Sequence, residues 1–202
     1  MTGTTTTDRP HQLAYLAAPA LLGTYGVVRL LDGHHGPGPG WTAGHLALLG
    51  SLLFFGVLFH GLYRTAAARG PVAARIAFGA ALVGLGATLG QTAIDLYVGL
   101  RAVDAADKDR LFEQIQSHPG VLPAFYTVLP LFFYLGLLGL LGILAVRRLI
   151  PFWSPLTALA ATVLMAASLD LMPVGAVLLA LTTAPLLRPA AVRRPVRVAT
   201  PV

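Results

Sequence analysis

Long apolar runs separated by short polar or turn-rich breaks dominate this sequence. A helix needs about 20 mostly apolar residues to cross the hydrocarbon core of a bilayer. The first four runs reach that length, and two shorter runs follow them around Asp170 and Pro173. The runs are 11–31, 41–63, 72–100, 121–146, 151–169 and 173–187. The pattern predicts an all-α integral membrane protein, a bundle of about six transmembrane helices.

The basic residues predict how the spans are oriented. With six spans and both termini inside, the inner segments hold ten of the 14 Lys and Arg residues and the outer segments hold four. Because cytoplasmic loops are enriched in Lys and Arg, this arrangement fits a multi-pass protein of the cell membrane with both termini cytoplasmic. Run 173–187 is short for a span, so five spans remain the alternative, but they would place the basic tail outside.

Composition excludes several other classes of protein. Charged residues make up 11% of the chain and apolar residues 56%, whereas a soluble domain has roughly 25% charged residues. The chain is therefore neither a water-soluble globule nor a disordered protein, and without cysteine it is not a disulfide-stapled module. The net charge of +6 comes from short Arg clusters beside apolar runs, which indicates membrane orientation and no nucleic-acid partner.

The chain reads as one transmembrane domain over 11–187, preceded by a disordered polar tail at 1–10 and followed by a basic cytoplasmic tail at 188–202. Residues 101–119 form the longest polar loop. They fit either a short interfacial helix, with Phe112 facing lipid, or a solvated connection. Pro130 is expected to kink the fourth span. Small residues at helical spacing predict close helix contacts in the third and fourth spans; they are Gly86 and Gly90, then Gly136, Gly139 and Gly142.

A polar stripe in the third span is the sharpest functional signal. Thr88, Gln91, Thr92 and Asp95 recur at helical spacing, so they share one face of a helix. An ionisable residue in a membrane span marks a functional site by default. The competing interpretation is an ion pair between Asp95 and an arginine, either Arg29 or Arg101.

Asp170 is a second carboxylate candidate, and its alternative is a helix-end carboxylate at the membrane interface. On the six-span arrangement, polar or titratable groups from several helices lie at the same side of the membrane, which predicts a polar cavity open to one leaflet. These groups are Arg29, Asp32, His45, Gln91, Asp95, His118 and Asp170. Trp41 opens the second span beside them. Tyr126 and Tyr134 share a face of the fourth span, either as a pocket wall or as lipid-facing packing.

No metal or cofactor is expected. His45 and His60 are separated by about 22 Å of helical rise and cannot bind one metal ion together. The zinc motifs, the P-loop and the dinucleotide-binding glycine motif are absent from the sequence.

The predicted cavity suits acid catalysis. Desolvation favours the neutral form of a carboxylic acid, so such a group in an apolar site can donate a proton near neutral pH. Aromatic faces beside it can stabilise a developing cation. With Asp95 as the proton donor, the cavity would suit the cyclisation of a prenyl chain that is dissolved in the bilayer. Gln91 and His45 would orient the acid, and Tyr126, Tyr134, Trp41 and Arg29 would bind the substrate.

In size, helix count and the carboxylates of QTAIDLY and SLDLMP, the chain resembles the small integral-membrane terpene cyclases of fungal meroterpenoid and actinobacterial prenyl pathways. The resemblance implies a metal-free isomerase or lyase of secondary metabolism, with Asp95 and Asp170 as catalytic acids. The alternative is a non-enzymatic polytopic protein: a transporter subunit, a carrier, or a regulatory or assembly factor. An enzyme or carrier requires Asp95 to face a cavity, whereas a structural role predicts a paired, inaccessible side chain. Membrane lipids and a prenylated small molecule are the expected partners.

Overall fold

In a computed structural model, the structure describes residues 9–33 and 36–187, and within these ranges every regular element is a helix. Seven α-helices lie in this part of the chain, with a π-helix at Leu122–Thr127 and 3-10 turns at Leu169–Leu171 and Ala184–Leu186. The α-helices are α1 (Arg9–Asp32), α2 (Pro39–Ala67), α3 (Pro71–Arg101), α4 (Ala105–Gln116), α5 (Leu131–Val146), α6 (Trp153–Ala167) and α7 (Met172–Thr183).

The helix boundaries follow local sequence signals. Proline occupies the first turn of α2 and of α3, where its missing N–H costs no hydrogen bond. Asp104 caps α4, because its side chain accepts a hydrogen bond from the backbone N–H of Asp107 at 2.8 Å. α1 begins at Arg9, two residues before the predicted start. The rest of the predicted N-terminal tail and the predicted tail at 188–202 lie outside the described residues.

Five helical segments of the described chain are long and apolar enough to cross a membrane. They are Arg9–Asp32, Pro39–Ala67, Pro71–Arg101, Leu122–Val146 and Leu169–Leu186. The prediction that run 173–187 forms the shortest span is wrong. The helical segment Leu169–Leu186 has 18 residues, and the shorter helix is Trp153–Ala167, with 15 residues. Pro173 lies in the first turn of α7, where proline is tolerated, so the helical path from Leu169 continues through it.

The helices form a ring in which α1, α2, α3 and α5 pack side by side, and α6 and α7 return the chain to α1. α7 runs antiparallel to α1. Arg29 lies 3.6 Å from Asp170 at one end of this pair, and the Thr183 hydroxyl donates to the Tyr15 carbonyl at the other. α6 is antiparallel to α7 in turn, because the hydroxyls of Thr157 and Thr182 meet at 2.8 Å.

Glycines set the close approach of α3 and α5. A Cβ at Gly84 would overlap the backbone of Phe133, and a Cβ at Gly136 would overlap the backbone of Ala81. Small residues are the usual means of close packing between membrane helices. The predicted contacts at Gly86 and Gly142 are wrong, since a Cβ at either position would meet nothing within 4 Å.

The predicted interruption at Pro130 is confirmed. The chain forms the π-helix Leu122–Thr127, turns, and begins α5 at Leu131. Proline has no N–H to donate and cannot continue a regular α-helical ladder. The irregular segment carries Tyr126 and Pro130 into the wall of a cavity, which is where irregular backbone is tolerated within a membrane protein.

Hydrogen bonds between helices add a modest share of stability. We expect Thr183→Val to lower the free energy of unfolding by about 0.6 kcal/mol, and by no more than about 1.7, since it removes the 2.9 Å bond from α7 to Tyr15 of α1. Unfolding in mixed detergent micelles measures the change. Thr162→Val is the matched control, because the Thr162 hydroxyl bonds Ala158 within its own helix. Equal losses in the two variants would contradict an interhelical role.

Candidate functional site

A cavity of about 440 Å³ opens at the end of the bundle where α1 and α3 end and α2 begins. This volume is within the range of small-molecule binding sites. We call this end the mouth of the cavity, defined by Arg29, Trp41 and Asp95. The other polar residues of the wall come from five helical segments, and they are Tyr25, His45, Thr88, Gln91, Thr92, Gln116 and Tyr126.

Asp95 lies in the cavity wall with only 9% of its surface exposed. The Tyr126 hydroxyl donates a long hydrogen bond to Oδ1 at 3.3 Å, and His45 Nε2 lies 3.7 Å from Oδ2. The alternative of an ion pair with Arg29 or Arg101 is not what the structure shows. Arg29 lies against Asp170, and Arg101 sits over the Tyr97 ring.

The hydrogen bonding of His45 fixes which of its nitrogens faces Asp95. The Trp41 carbonyl oxygen lies 2.8 Å from Nδ1. Because a carbonyl only accepts, Nδ1 carries a proton, and Nε2 is the nitrogen able to exchange one. Asp95 and His45 therefore face each other as an acid and a base across 3.7 Å.

Trp41 ties α2 to α3 beside the carboxylate. Its indole Nε1 donates to the Asp95 carbonyl at 2.8 Å, and its ring stacks on His45 with centroids 4.3 Å apart. The space for this ring depends on Gly99, since a Cβ there would overlap the indole. The Lys108 ammonium lies 5.2 Å from the centroid on the ring's face.

We expect Gly99→Val to displace the Trp41 indole and break its hydrogen bond to the Asp95 carbonyl. In a Trp153→Phe background, Trp41 is the single tryptophan of the chain, so a shift of its emission maximum measures the displacement. Gly79→Val is the matched control on α3, because a Cβ at Gly79 meets nothing within 4 Å. An unchanged Trp41 emission spectrum in Gly99→Val would contradict this packing.

Of the two alternatives for loop 101–119, the structure shows a helix, α4, lying across the mouth. The prediction that Phe112 faces lipid is wrong. Phe112 and Gln116 line the cavity, and the Phe112 ring lies 6.2 Å from that of Trp41. Lys108, Phe112 and Gln116 recur every four residues, so one face of α4 covers the mouth.

On the opposite side of α4, an ion pair holds the helix start. Arg110 pairs with Asp107, and the Asp107 carboxylate also accepts a hydrogen bond from the Val103 N–H at 3.2 Å. The Arg110 hydrogen bond, followed by that of Val103, holds the pKa of the Asp107 carboxyl below its ordinary value. Asp107 therefore remains ionised at neutral pH and supports the first turn of α4.

The inner part of the cavity is apolar. Phe55 and Phe133 meet edge to face at 5.0 Å and form what we call the floor. At 1.5 Å of rise per residue, the floor lies roughly 21 Å along α2 from Trp41. The remaining apolar wall is supplied by Leu22, Leu48, Leu52, Pro130, Tyr134, Met165, Leu169, Met172 and Leu179.

Seven of the eight predicted site residues line this cavity, namely Arg29, Trp41, His45, Gln91, Asp95, Tyr126 and Tyr134. Asp170 is not among the lining residues. Its side chain is 58% exposed and lies 3.6 Å from the Arg29 guanidinium. Sequence reasoning missed the floor and the methionines of α6 and α7, which carry no pattern that distinguishes them from lipid-facing residues.

Within the described residues, no group of three or more His, Cys, Asp or Glu side chains is placed to hold a metal ion. The arrangement can enclose an apolar molecule and offer it one acid, one base and hydrogen-bonding groups at the mouth. Comparison of the chain with protein-family models, curated proteins and solved structures finds no match.

Proposed function

We propose that the protein is a membrane-embedded enzyme that binds a lipid-soluble prenylated substrate in the cavity and protonates it through Asp95, as a metal-independent terpene cyclase does. One observation carries this proposal. The carboxyl group of Asp95 lies in the wall of a largely apolar cavity, opposite a histidine whose Nε2 is available to exchange a proton.

The proposed reaction is an isomerisation. The Asp95 carboxyl donates its proton to an alkene carbon, which forms a C–H bond and leaves a carbocation. A second double bond attacks the cation, forming a C–C bond and a new cation. Loss of a proton from a neighbouring carbon restores the double bond, and His45 Nε2 accepts that proton and returns it to Asp95. The product has the mass of the substrate.

The cavity wall supports such a cation. The rings of Trp41, Phe112 and Tyr126 line the cavity near Asp95, and those of Phe55, Phe133 and Tyr134 line its inner part. The faces of aromatic rings attract cations. α4 covers the mouth with Phe112. Exclusion of water protects a reactive intermediate from hydrolysis.

A non-enzymatic role is the second candidate, and the partners of Asp95 favour it. A side chain 9% exposed, with Tyr126 and His45 on its two oxygens, also fits a structural link between α2, α3 and the π-helix. In that case the cavity would hold a lipid or a regulatory ligand unchanged. Turnover of a substrate separates the two candidates.

The proposal includes six membrane crossings with both termini on the cytoplasmic side. The antiparallel pairing of α6 with α7, and of α7 with α1, supports it, since α6 and α7 then lie side by side in the bundle and run in opposite directions. The distribution of Arg residues supports the orientation. With this topology, the mouth of the cavity opens towards the outer leaflet.

Mass spectrometry of membranes with and without the protein tests the function. Membranes supplied with 2-geranylphenol or 2-farnesylphenol should yield a product of unchanged mass and altered retention time only when the protein is present. A protein that binds these compounds and returns them unchanged would contradict the enzymatic proposal and favour the non-enzymatic one.

A further inference from the structure

We infer that the cavity holds a single-chain amphiphile with an uncharged hydrogen-bonding head group, its head at the mouth beside Trp41, Asp95 and Tyr126, and its chain extended along α2 to the floor at Phe55 and Phe133. This inference rests on the proposed function in one respect, that the cavity takes a lipid-soluble ligand. It adds the direction in which the ligand lies and the chemical class of its head group.

On α1 and α2 the lining residues change from polar to apolar along the cavity. On α2, Trp41 and His45 lie at the mouth, and the lining residues further in are apolar, ending at Phe55. On α1, the lining residues run from Arg29 through Tyr25 to the apolar Leu22. Two neighbouring helices thus show the same gradient. A ligand with one polar and one apolar end matches the cavity in one direction only. In the other direction its head group would be buried at the apolar floor without hydrogen-bond partners, which is energetically unfavourable.

The gradient also matches the bilayer from which the ligand comes. The mouth lies at helix ends beside the polar helix α4, which is the level of the lipid head groups when the long helices span the membrane. An amphiphile in that leaflet already has its head at this level and its chain pointing inward. It can enter the cavity without turning over.

The charges at the mouth favour an uncharged head group. The Arg29 guanidinium lies 3.6 Å from the Asp170 carboxylate, and Asp95 faces His45 at 3.7 Å. Each of these four side chains has a partner of complementary charge or proton affinity. A phosphate head group needs several charge-assisted donors, whereas a hydroxyl or carbonyl group needs only neutral partners such as Gln91, Gln116 and Tyr126.

This orientation has a consequence for the reaction. The bond that Asp95 protonates is the one nearest the head group, since the carboxyl group lies at the mouth and the far end of the chain reaches the floor. On a geranylated phenol, the double bond adjoining the ring would therefore be protonated first.

Fluorescence quenching by two brominated probes tests the orientation. One is 2-geranylphenol with bromine on the ring, and the other carries bromine at the terminal isoprene unit. In the full-length Trp153→Phe protein in nanodiscs, Trp41 is the single tryptophan. We expect ring bromine to cause the larger saturable loss of Trp41 emission. A second variant combines Trp41→Phe, Phe55→Trp and Trp153→Phe, so that its single tryptophan lies at the floor. In this variant we expect terminal bromine to cause the larger saturable loss of emission.

The Trp41→Phe variant measures the quenching caused by probe that is dissolved in the bilayer and not bound in the cavity. Its remaining tryptophan, Trp153, lies at the start of α6 and is 45% exposed. Its quenching should rise without saturation. A larger saturable loss of Trp41 emission with terminal bromine would overturn the orientation and leave the proposed function standing. No saturable loss at either reporter would overturn both. If Phe55→Trp does not fold, the Trp41 reporter alone decides.

Discussion

Replacing Asp95 with asparagine is expected to lower the rate of product formation by about 10²- to 10⁴-fold, the usual contribution of a positioned general acid. Asparagine has almost the same shape and still accepts the hydrogen bond from the Tyr126 hydroxyl. It has no acidic proton to give to an alkene. The loss should therefore appear in the rate constant for turnover, with little change in binding of the brominated probes.

The control for this variant is Glu113→Gln, the same change from carboxyl to amide on the exposed side of α4. It should retain the wild-type rate. Both variants are compared at equal amounts of folded protein, measured by size-exclusion chromatography in detergent. Wild-type turnover by Asp95→Asn would remove Asp95 from the chemistry. A rate reduced by the same factor in both variants would point to a general loss of integrity.

Gly84→Val is expected to destabilise the bundle by roughly 3 kcal/mol, the upper end of the usual cost of overpacking. A Cβ at Gly84 would overlap the backbone of Phe133, and a backbone cannot move aside as a flexible side chain can. α3 and α5 would have to separate along the seam that also contains Gly136 and Ala81. Because Phe133 forms part of the floor, the cavity should be disrupted as well.

Thermal unfolding in detergent measures this effect, with Gly86→Val as the matched control two residues along the same helix. A Cβ at Gly86 meets nothing within 4 Å, so this variant should unfold near the wild-type temperature. Similar melting temperatures for Gly84→Val and Gly86→Val would contradict the close α3–α5 contact.

The sequence alone was sufficient to predict the helical membrane class, the break at Pro130 and most of the polar side of the cavity. The reason is that membrane spans are long and apolar, so an exception such as Asp95 stands out against them. Its neighbours at helical spacing, Gln91 among them, show which face of α3 is polar. The helix ends then place Trp41 and Arg29 at the same level.

The sequence alone does not show which residues contact each other across each helix–helix interface. Gly84 and Gly86 are equivalent in composition and spacing, and only the position of α5 decides which one is in contact. Phe112 lies on an amphipathic helix, whose apolar face fits lipid as well as a cavity mouth. The predicted run 151–169 is longer than α6 because the apolar residues Pro151, Phe152 and Leu169 lie just outside the α-helix, which begins at Trp153 and ends at Ala167.

The contacts of Trp41 also determine how mutations at the mouth combine. Its carbonyl holds His45, His45 faces the Asp95 carboxylate, and the Asp95 carbonyl accepts from the Trp41 indole. The three residues therefore form a closed ring of contacts between α2 and α3. Residues in one network show non-additive energies. A double-mutant cycle on Trp41 and His45 should give a coupling energy of about 0.5–3 kcal/mol, and selection on either position acts on both.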